Sequence, residues 1–399
     1  MNHSYLQKCN CLKKCAYKTC TKYVVIGIFY NIARKLFVIS TFKPIQFDTS
    51  TPDFVKVLRK RVNSYFKENK VSRNSNGSMI FKSVFMLLLF YIPYSLMYTP
   101  FIDGFWYLIP WAFMGFGMAG IGLSVMHDGN HNAYSKNPLI NKFSGFGLNL
   151  MGGYDLNWRI QHNLLHHTYT NIDGMDEDVD AGIILRFSSN QKRKPHHRFQ
   201  HLYAWLLYAL LSISWITNKD FIQVVKYHKM DLLKSQNITY GRALINLFSW
   251  KIFYFLYILV IPIFFLGNPW VHISGFFLMH FIAGFFLSTI FLCAHIVDQT
   301  DFPEPDNTGN IKKNWYVHQL ETTANFSNSK SFFSWFIGGL NYQIEHHLFP
   351  SICHVHYHDI SKIVKETAEE YNVPYHANHT FLSALKHHYK HLKLMGKGS

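Results

Sequence analysis

The chain has 399 residues, of which 49% are hydrophobic, 17% aromatic and only 16% charged. Because a soluble domain is about 25% charged, this composition argues against a disordered protein, and six cysteines in so long a chain argue against a disulfide scaffold. The 39 Lys and Arg outnumber the 23 Asp and Glu, which leaves a formal net charge of +16. A nucleic-acid-binding protein would share that charge, but the sequence contains no nucleic-acid-binding motif.

The N-terminal residues 1–40 differ from the rest of the chain. They are basic and carry four of the six cysteines at the spacing C-x-C-x3-C-x4-C, which lacks the paired C-x2-C of common zinc sites. We interpret 1–40 as an extension outside the fold and expect one organised domain over 41–395. That domain is predicted to begin with an amphipathic helix at 51–69.

Two long stretches, 83–135 and 252–311, contain no Lys or Arg. Each stretch is long enough for two membrane-spanning helices of about 20 residues. The chain is therefore predicted to be an all-α integral membrane protein with two transmembrane hairpins. The four predicted spans are 81–99, 105–126, 246–266 and 270–294.

All the basic residues lie outside these two stretches, which indicates how the protein is oriented. By the positive-inside rule, the N-terminus, the loop 127–245 and the tail 295–399 are expected in the cytoplasm, near anionic lipid headgroups. The apolar run 202–217 is short for a span and has basic residues on both sides. We predict a helix there that lies in the membrane interface.

Many of the 24 histidines form three tight groups. Residues i and i+4 share one face of a helix, so each group aims two or three side chains at one point. All three groups are expected at the cytoplasmic ends of the spans or in cytoplasmic segments, and therefore close together. The groups are HDGNH (His127 and His131), HNLLHH (His162, His166 and His167) and QIEHH (Gln343, His346 and His347).

Seven imidazoles exceed the coordination of one metal ion, so we predict a site for two metals in a helical cytoplasmic cap. Imidazole suits Zn, Cu, Fe and Ni. The lack of cysteine among the groups favours oxidising chemistry, since thiolates are easily oxidised, and the apolar helices above indicate O2 activation against a hydrocarbon chain. A His-rich metal transporter is the alternative from another class, but transport sites lie near the membrane midplane.

In their order around the two hairpins, HDGNH, HNLLHH and QIEHH resemble the three histidine boxes of integral-membrane fatty acid desaturases. The Gln that opens the third box resembles the front-end, linoleoyl-type branch in its bacterial form, without a fused cytochrome b5 domain. The resemblance implies an O2-dependent enzyme that introduces a cis double bond into a fatty acyl chain, with Δ5/Δ6-like regioselectivity. It implies two iron ions as cofactor, O2 as co-substrate, and no haem or flavin in this chain. A hydroxylase or conjugase of the same di-iron group is the nearer alternative.

The resemblance also implies which residues bind the irons. The seven histidines of the three boxes are the implied ligands. A further family ligand, in an Asn-x3-His pattern, matches NWYVH here, with His318 as the ligand and Asn314 acting directly or through a water. Gln343 takes the place of a histidine ligand, and either binds through its carbonyl oxygen or holds a water.

Other side chains are expected to support this site. Trp158 and Tyr342 are predicted to line the substrate site. For the acidic run at 176–180, a solvated loop is the alternative to a role in the site. The residues predicted to orient the ligands are Asp128, Asn130, Asp176, Asp178, Asp180, His295 and Glu345.

The implied reaction needs two electrons from outside. The chain has no HPGG haem motif, so a separate donor such as ferredoxin or cytochrome b5 is expected, docked through basic residues. The substrate is expected to be an acyl chain carried on CoA, an acyl-carrier protein or a glycerolipid. We expect the bacterial inner membrane as the location, with both termini and the active site cytoplasmic and with no nucleic-acid partner.

Overall fold

A computed structural model describes residues 42–50, 52–327 and 330–398, so the predicted extension at 1–40 lies outside the described residues. The described chain is mostly helical, with four short strands. The helices up to the end of the fourth span are α1 (Asp53–Glu68), α2 (Gly77–Leu96), α3 (Gly104–Asn130), α4 (Pro138–Gly145), α5 (Gly147–Leu150), α6 (155–169), α7 (Pro195–Ala209), α8 (Leu211–Lys229), α9 (Tyr240–Leu266) and α10 (Pro269–His295). The remaining helices are α11 (Trp315–Glu321), α12 (Phe332–Phe336), α13 (Gln343–Leu348), α14 (Tyr357–Glu370) and α15 (Phe381–Lys397), and two 3-10 turns lie at Leu232–Gln236 and His354–His356.

Four of these helices, α2, α3, α9 and α10, are long and apolar enough to cross a membrane. The predicted all-α membrane fold is therefore confirmed, and the chain is an integral membrane protein. The spans differ from their predicted bounds: α9 begins six residues earlier, at Tyr240, α3 ends four residues later and α10 ends one residue later. α3 continues to Asn130 and α10 to His295, so each of these helices carries histidine at its C-terminal end.

The second and fourth spans, α3 and α10, form the centre of the bundle. Glycines allow their close approach: a Cβ at Gly275 would lie 2.1 Å from Trp111 Cδ1, and one at Gly115 would lie 2.8 Å from the Met279 carbonyl oxygen. α2 packs against α3 as well. Because interiors are close-packed and deform little, this contact fixes the C-terminal ends of α3 and α10 relative to each other.

Helices α7 and α8 form an apolar pair that bends by 58° around Leu210. The predicted interfacial helix at 202–217 includes this bend, which the apolar composition does not reveal. That this helix lies in the membrane interface stays a prediction. The pair packs on α10, where Ser212 Oγ donates a hydrogen bond to the His280 carbonyl oxygen at 2.8 Å. A buried ion pair, Lys251 to Asp220 at 2.6 Å, ties α8 to α9.

The segments outside the spans form a helical cap at the end where α3 and α10 finish. α1 packs against α14, and their apolar faces share one core cluster with α13. Two small parallel sheets join distant segments of the cap. Their strands are β1 (Gln46–Asp48) with β2 (Asn310–Asn314), and β3 (Ala324–Phe326) with β4 (His376–Asn378).

Candidate metal centre

The C-terminal ends of two spans bring the first histidines together. A π-helical stretch at Ile121–Val125 is followed by a short α-helical end at Met126–Asn130, so the HDGNH motif continues α3 without a break. The ring centroids of His127 and His131 are 4.7 Å apart. His295, the last residue of α10, is fully buried at the same end of the bundle.

The second motif lies in α6, where Arg159–His166 is π-helical. The sequence predicted ordinary α-helical spacing here. A π-helix has more residues per turn, so residues i, i+4 and i+5 come closer to one face, and His162, His166 and His167 all turn toward the centre. The rings of His162 and His166 lie 5.1 Å apart and nearly parallel, at 23°. Single π-helical turns are frequent at functional sites.

The third motif forms α13, a short helix in which all six residues are buried. The Glu345 carboxylate accepts hydrogen bonds from Asn325 Nδ2 at 2.7 Å and from Tyr375 Oη at 3.0 Å. Burial raises the pKa of Glu345 to about 7, although these hydrogen bonds oppose the shift. Glu345 thus anchors the helix that presents His346 and His347.

Four of these histidines converge on one point. We call them the first group, and each offers a ring nitrogen within 4.8 Å of the others. Their side chains come from α3 and the residue that directly follows it, from α6 and from α13, and each is at most 8% exposed. The first group consists of His127, His131, His162 and His346.

A second group of three converges beside the first, again with one ring nitrogen of each within 4.8 Å of the others: His166, His295 and His347. The Nε2 atoms of His166 and His347 are 3.2 Å apart. Adjacent ligand nitrogens that each lie about 2.1 Å from one metal are roughly 3 Å apart. The geometry of the second group therefore fits a shared metal ion.

His167 lies between the two groups. Its ring centroid is 4.6 Å from that of His346 in the first group and 4.4 Å from that of His347 in the second. Among the described residues, neither of its ring nitrogens has a hydrogen-bond partner. All seven histidines of the three motifs are therefore brought into one centre, as the sequence predicted.

Carboxylates orient two of the histidines. Asp178 Oδ2 lies 2.9 Å from His162 Nδ1, and Asp176 Oδ2 lies 2.9 Å from His166 Nδ1. Asp180 is exposed and accepts from the Gly182 backbone instead. The acidic run thus has a mixed character, because two of its members turn inward to the site and one is solvated.

Three further groups orient histidines of the site, and none of them was predicted from the sequence. Gln319 Oε1 lies 2.7 Å from His347 Nδ1, Tyr357 Oη lies 3.2 Å from His346 Nδ1, and the Thr322 carbonyl oxygen lies 3.3 Å from His295 Nδ1. Gln319 and Tyr357 stand in segments flanking the motifs, and that proximity is the only signal the sequence offers for them. Such partners fix the ring orientation and the tautomer of a metal-binding histidine.

The opposite nitrogens are left free to bind. In the described part of the chain, the Nε2 atoms of His131, His162, His295 and His346 are buried without a hydrogen-bond partner. An unsatisfied buried polar atom costs roughly 1–3 kcal/mol, and a metal ion in each group would remove that cost. An all-imidazole donor set backed by carboxylates and amides suits a transition metal such as Zn, Cu, Fe or Ni.

The protonation of the rings favours metal binding, because a ligand imidazole must be neutral. Burial and the neighbouring imidazoles lower the pKa values of His131, His167, His346 and His347 well below their usual range. Burial also lowers the pKa of His162 to about 4. His166 differs, since burial opposes the shift but Asp176 raises its pKa.

The structure differs from the sequence prediction at His318 and His295. In the described residues His318 belongs to neither group; its ring packs on Phe47 at 4.9 Å, and burial lowers its pKa to about 4. Asn314 caps α11, accepting from the Tyr316 backbone at 2.9 Å and donating to the Ser50 carbonyl oxygen at 2.6 Å. His295, predicted only to orient ligands, is itself in the second group.

The remaining predicted residues are divided between the site and the structure around it. Trp158 stacks on His162, with ring centroids 4.4 Å apart. Tyr342 lies in the core of the cap, where its Oη is 2.7 Å from His358 Nδ1. Asn130 donates to the Gly145 carbonyl oxygen at 3.3 Å, and Asp128 contacts His354 at 2.8 Å.

A cavity of about 370 Å³ extends from the apolar helices to the first group. His127, His162, Trp158 and Gln343 form its wall next to the metal centre. Its other walls are mainly apolar side chains of α3, α7, α8 and α10, and Tyr342 is not part of them. The arrangement places a mainly apolar cavity directly against the first group of histidines.

Comparison with known proteins agrees with this geometry. The fatty acid desaturase family model matches residues 103–379. The chain is 37% identical over 367 residues to the acyl-lipid (8-3)-desaturase of Physcomitrium patens, covering 88% of this chain and 73% of that protein. It is 34% identical over 355 residues to the sn-1 linoleoyl-lipid 6-desaturase of Synechocystis sp., covering 88% and 98% respectively. This chain therefore belongs to the fatty acid desaturase family and is an oxidoreductase of lipid metabolism.

Proposed function

We propose that the chain is a front-end acyl-lipid desaturase with two iron ions, one held by each histidine group. The balanced reaction converts –CH2–CH2– of an acyl chain, O2, two electrons and two protons into a cis –CH=CH– and two waters. The observation that supports it most directly is a pair of adjacent groups of buried, oriented imidazoles, the first of which lines a mainly apolar cavity. When bound, the irons supply the reduction of O2 and the removal of hydrogen from the chain.

For the ligands we propose the seven box histidines together with His295. The first group would hold one iron and the second group the other, with His167 available to either. Gln343 lines the cavity beside His127 and His162, which supports a role at the substrate side of the first iron. His318 and Asn314 are left out of this set, because their contacts lie with β1 and the segment next to it.

The cavity would orient the acyl chain and exclude water from it. Trp158 stacks on His162, and Phe291 of α10 lies 4.9 Å from the rings of both His166 and His295. These rings would press the reacting methylene pair against the centre, and such positioning can contribute several kcal/mol to catalysis. The distance from the cavity opening to the centre would set the double-bond position.

The surroundings of the cavity support a lipid-bound substrate over a soluble acyl-CoA. Ile184 lines the cavity and is itself 51% exposed, and its neighbour Ile183 is 52% exposed. On α7, Leu202 and Leu206 are 60% and 61% exposed, and Tyr203 Oη donates to the Ile184 carbonyl oxygen at 2.7 Å. Exposed apolar patches on a membrane protein contact lipid, so an acyl chain would enter directly from the bilayer. The names of the relatives, acyl-lipid and linoleoyl-lipid desaturases, support the same substrate class.

The proposed electron donor and the proposed orientation in the membrane rest on the distribution of basic residues. The two electrons would come from a separate protein, ferredoxin or cytochrome b5, attracted by the basic surface of the cap. The concentration of Lys and Arg outside the spans supports a cytoplasmic metal centre and cytoplasmic termini. We propose the bacterial inner membrane as the location.

Expression in a host that makes no polyunsaturated lipid tests this function. With linoleate and a competent electron donor supplied, a new cis double bond is expected between the carboxyl group and the existing double bonds. Mass spectrometry of derivatised fatty acids locates the bond, and a short pulse of labelled linoleate is expected to give labelled product in glycerolipid before acyl-CoA. Hydroxylated fatty acid as the product, or no product from well-expressed protein, would contradict the proposal.

A further inference from the structure

A lysine lies buried inside the first span. Lys82 is the sixth residue of α2, and only 2% of it is exposed. Burying an ammonium group costs several kcal/mol unless the group is paired, and an ionisable residue in a membrane helix commonly marks a function. Its Nζ lies 2.6 Å from His354 Nε2 and 5.4 Å from the centre of the Trp335 ring.

His354 connects this lysine to the first histidine motif. Its Nδ1 lies 2.8 Å from Asp128 Oδ2, and its backbone N–H lies 3.3 Å from the same oxygen. A single tautomer satisfies the chain of contacts: the Lys82 ammonium donates to Nε2, and Nδ1–H donates to the carboxylate. Burial lowers the pKa of His354 to about 4, against the opposing charge of Asp128, so the ring is neutral near pH 7.

The chain of contacts ends at a proposed iron ligand. Asp128 Oδ1 lies 3.8 Å from His127 Nδ1, a nitrogen without a hydrogen-bond partner among the described residues. A carboxylate behind the second nitrogen of a metal-binding histidine fixes the orientation of the ring and raises its basicity. The Asp128 carboxylate faces this nitrogen at 3.8 Å, which is longer than a hydrogen bond, so it acts on the ring by its charge, and Lys82 and His354 hold Asp128 in place.

We infer that Lys82, acting through His354 and Asp128, is a positioning residue for His127 and hence for the iron of the first group. The inference rests on the proposed two-iron centre and adds to it a residue from a different span. Three segments that are far apart in sequence, α2, the end of α3 and the turn at His354–His356, supply the three side chains.

A separate cation site at this place is the competing interpretation. Asp128, Cys353 and His354 offer ligand atoms within 4.8 Å of one another. The Lys82 ammonium already lies 2.6 Å from His354 and would repel a metal cation. The geometry therefore favours the hydrogen-bonded chain Lys82–His354–Asp128 over a third metal.

The chain offers a matched control in Lys251. This lysine is 4% exposed and lies in span α9, so its burial matches that of Lys82, and its partner is the Asp220 carboxylate at 2.6 Å. Its other contacts are the carbonyl oxygens of Gly152 and Trp215, and in the described residues it has no contact with a box histidine. Loss of either lysine should destabilise the fold, but only loss of Lys82 should change a metal site.

Titration of purified full-length protein with Fe2+ under anaerobic conditions, against a competing chelator, separates these effects. Lys82→Met is expected to bind iron about 10- to 100-fold more weakly at one of two sites, the range for loss of an outer partner of a ligand. Lys251→Met is expected to keep two sites of wild-type affinity. With Co2+ in place of Fe2+, the visible absorption spectrum should change in Lys82→Met alone.

Wild-type affinity and spectrum in Lys82→Met would overturn the inference, as would equal weakening in Lys251→Met. If Lys82→Met does not fold, His354→Gln and His354→Leu decide instead. Glutamine can accept from Lys82 and donate to Asp128, so it should restore the affinity that leucine loses, and equal affinities in the two would contradict the inference. Wild-type protein that binds fewer than two metals would instead contradict the two-iron proposal itself.

Discussion

Replacing His347 by Ala is expected to abolish desaturation. His347 belongs to the second group, where its Nε2 faces His166 Nε2 at 3.2 Å, and its Nδ1 is held by Gln319. Its removal leaves two of three converging ligands. Since losing even an outer partner of a ligand costs roughly 10- to 100-fold, losing the ligand itself should reduce product more than about 100-fold, measured as fatty acid methyl esters from the expressing host.

The control for this variant is His379→Ala. His379 is exposed and lies outside both groups among the described residues, so its replacement should leave product at the wild-type level. Size-exclusion chromatography in detergent establishes that both variants are folded. Substantial product from folded His347→Ala would remove the basis for the second group as a metal site.

Replacing His295 by Ala is the second change for which a complete loss of product is expected. His295 ends α10 and offers a nitrogen to the second group, and its orphaned Nε2 is fully buried. His318→Ala should keep activity within about threefold of wild type, because His318 packs on Phe47 rather than on a box histidine. Assays of both variants in the same host, with expression measured by immunoblot, provide the comparison.

This pair of variants separates two assignments of the same ligand. The Asn-x3-His pattern favours His318, whereas the geometry favours His295. The two side chains are similarly buried, at 1% and 0% exposed, so a general effect of core truncation should be similar in both. An active His295→Ala together with an inactive His318→Ala would reverse our assignment.

The sequence predicted the spans and the clustering of the boxes because both depend on local patterns. The absence of Lys and Arg over 83–135 and 252–311 follows from the cost of placing charge in a bilayer. The i, i+4 spacing within each motif predicts convergence wherever the motif is helical. The motifs are predicted to meet because all three are expected at the same end of the spans.

The residues that sequence reasoning missed or misplaced act through tertiary contacts. His295 is a single histidine at the end of an apolar run, and nothing in its neighbours distinguishes it from a residue that only orients ligands. Gln319 and Tyr357 reach His347 and His346 from other helices. Tyr342 directly precedes α13, yet its side chain turns into the cap core.

The irregularities of the backbone were not predicted from the sequence either. The π-helical stretch Arg159–His166 changes which faces the second box presents. The bend at Leu210 places the residues on both sides of it, Leu207 and Leu211, in the cavity wall. Neither feature contains a proline, so neither follows from that breaker residue. The helices on both sides of the bend, α7 and α8, pack on α10.

The iron content of the purified protein tests the central claim most directly. Protein expressed in iron-supplemented cells and purified without oxygen is expected to carry two iron ions per chain by elemental mass spectrometry. His346→Ala and His347→Ala, which each remove a ligand from a different group, should each lower the content to about one. Two irons retained in both folded variants, or none in folded wild-type protein, would contradict the account.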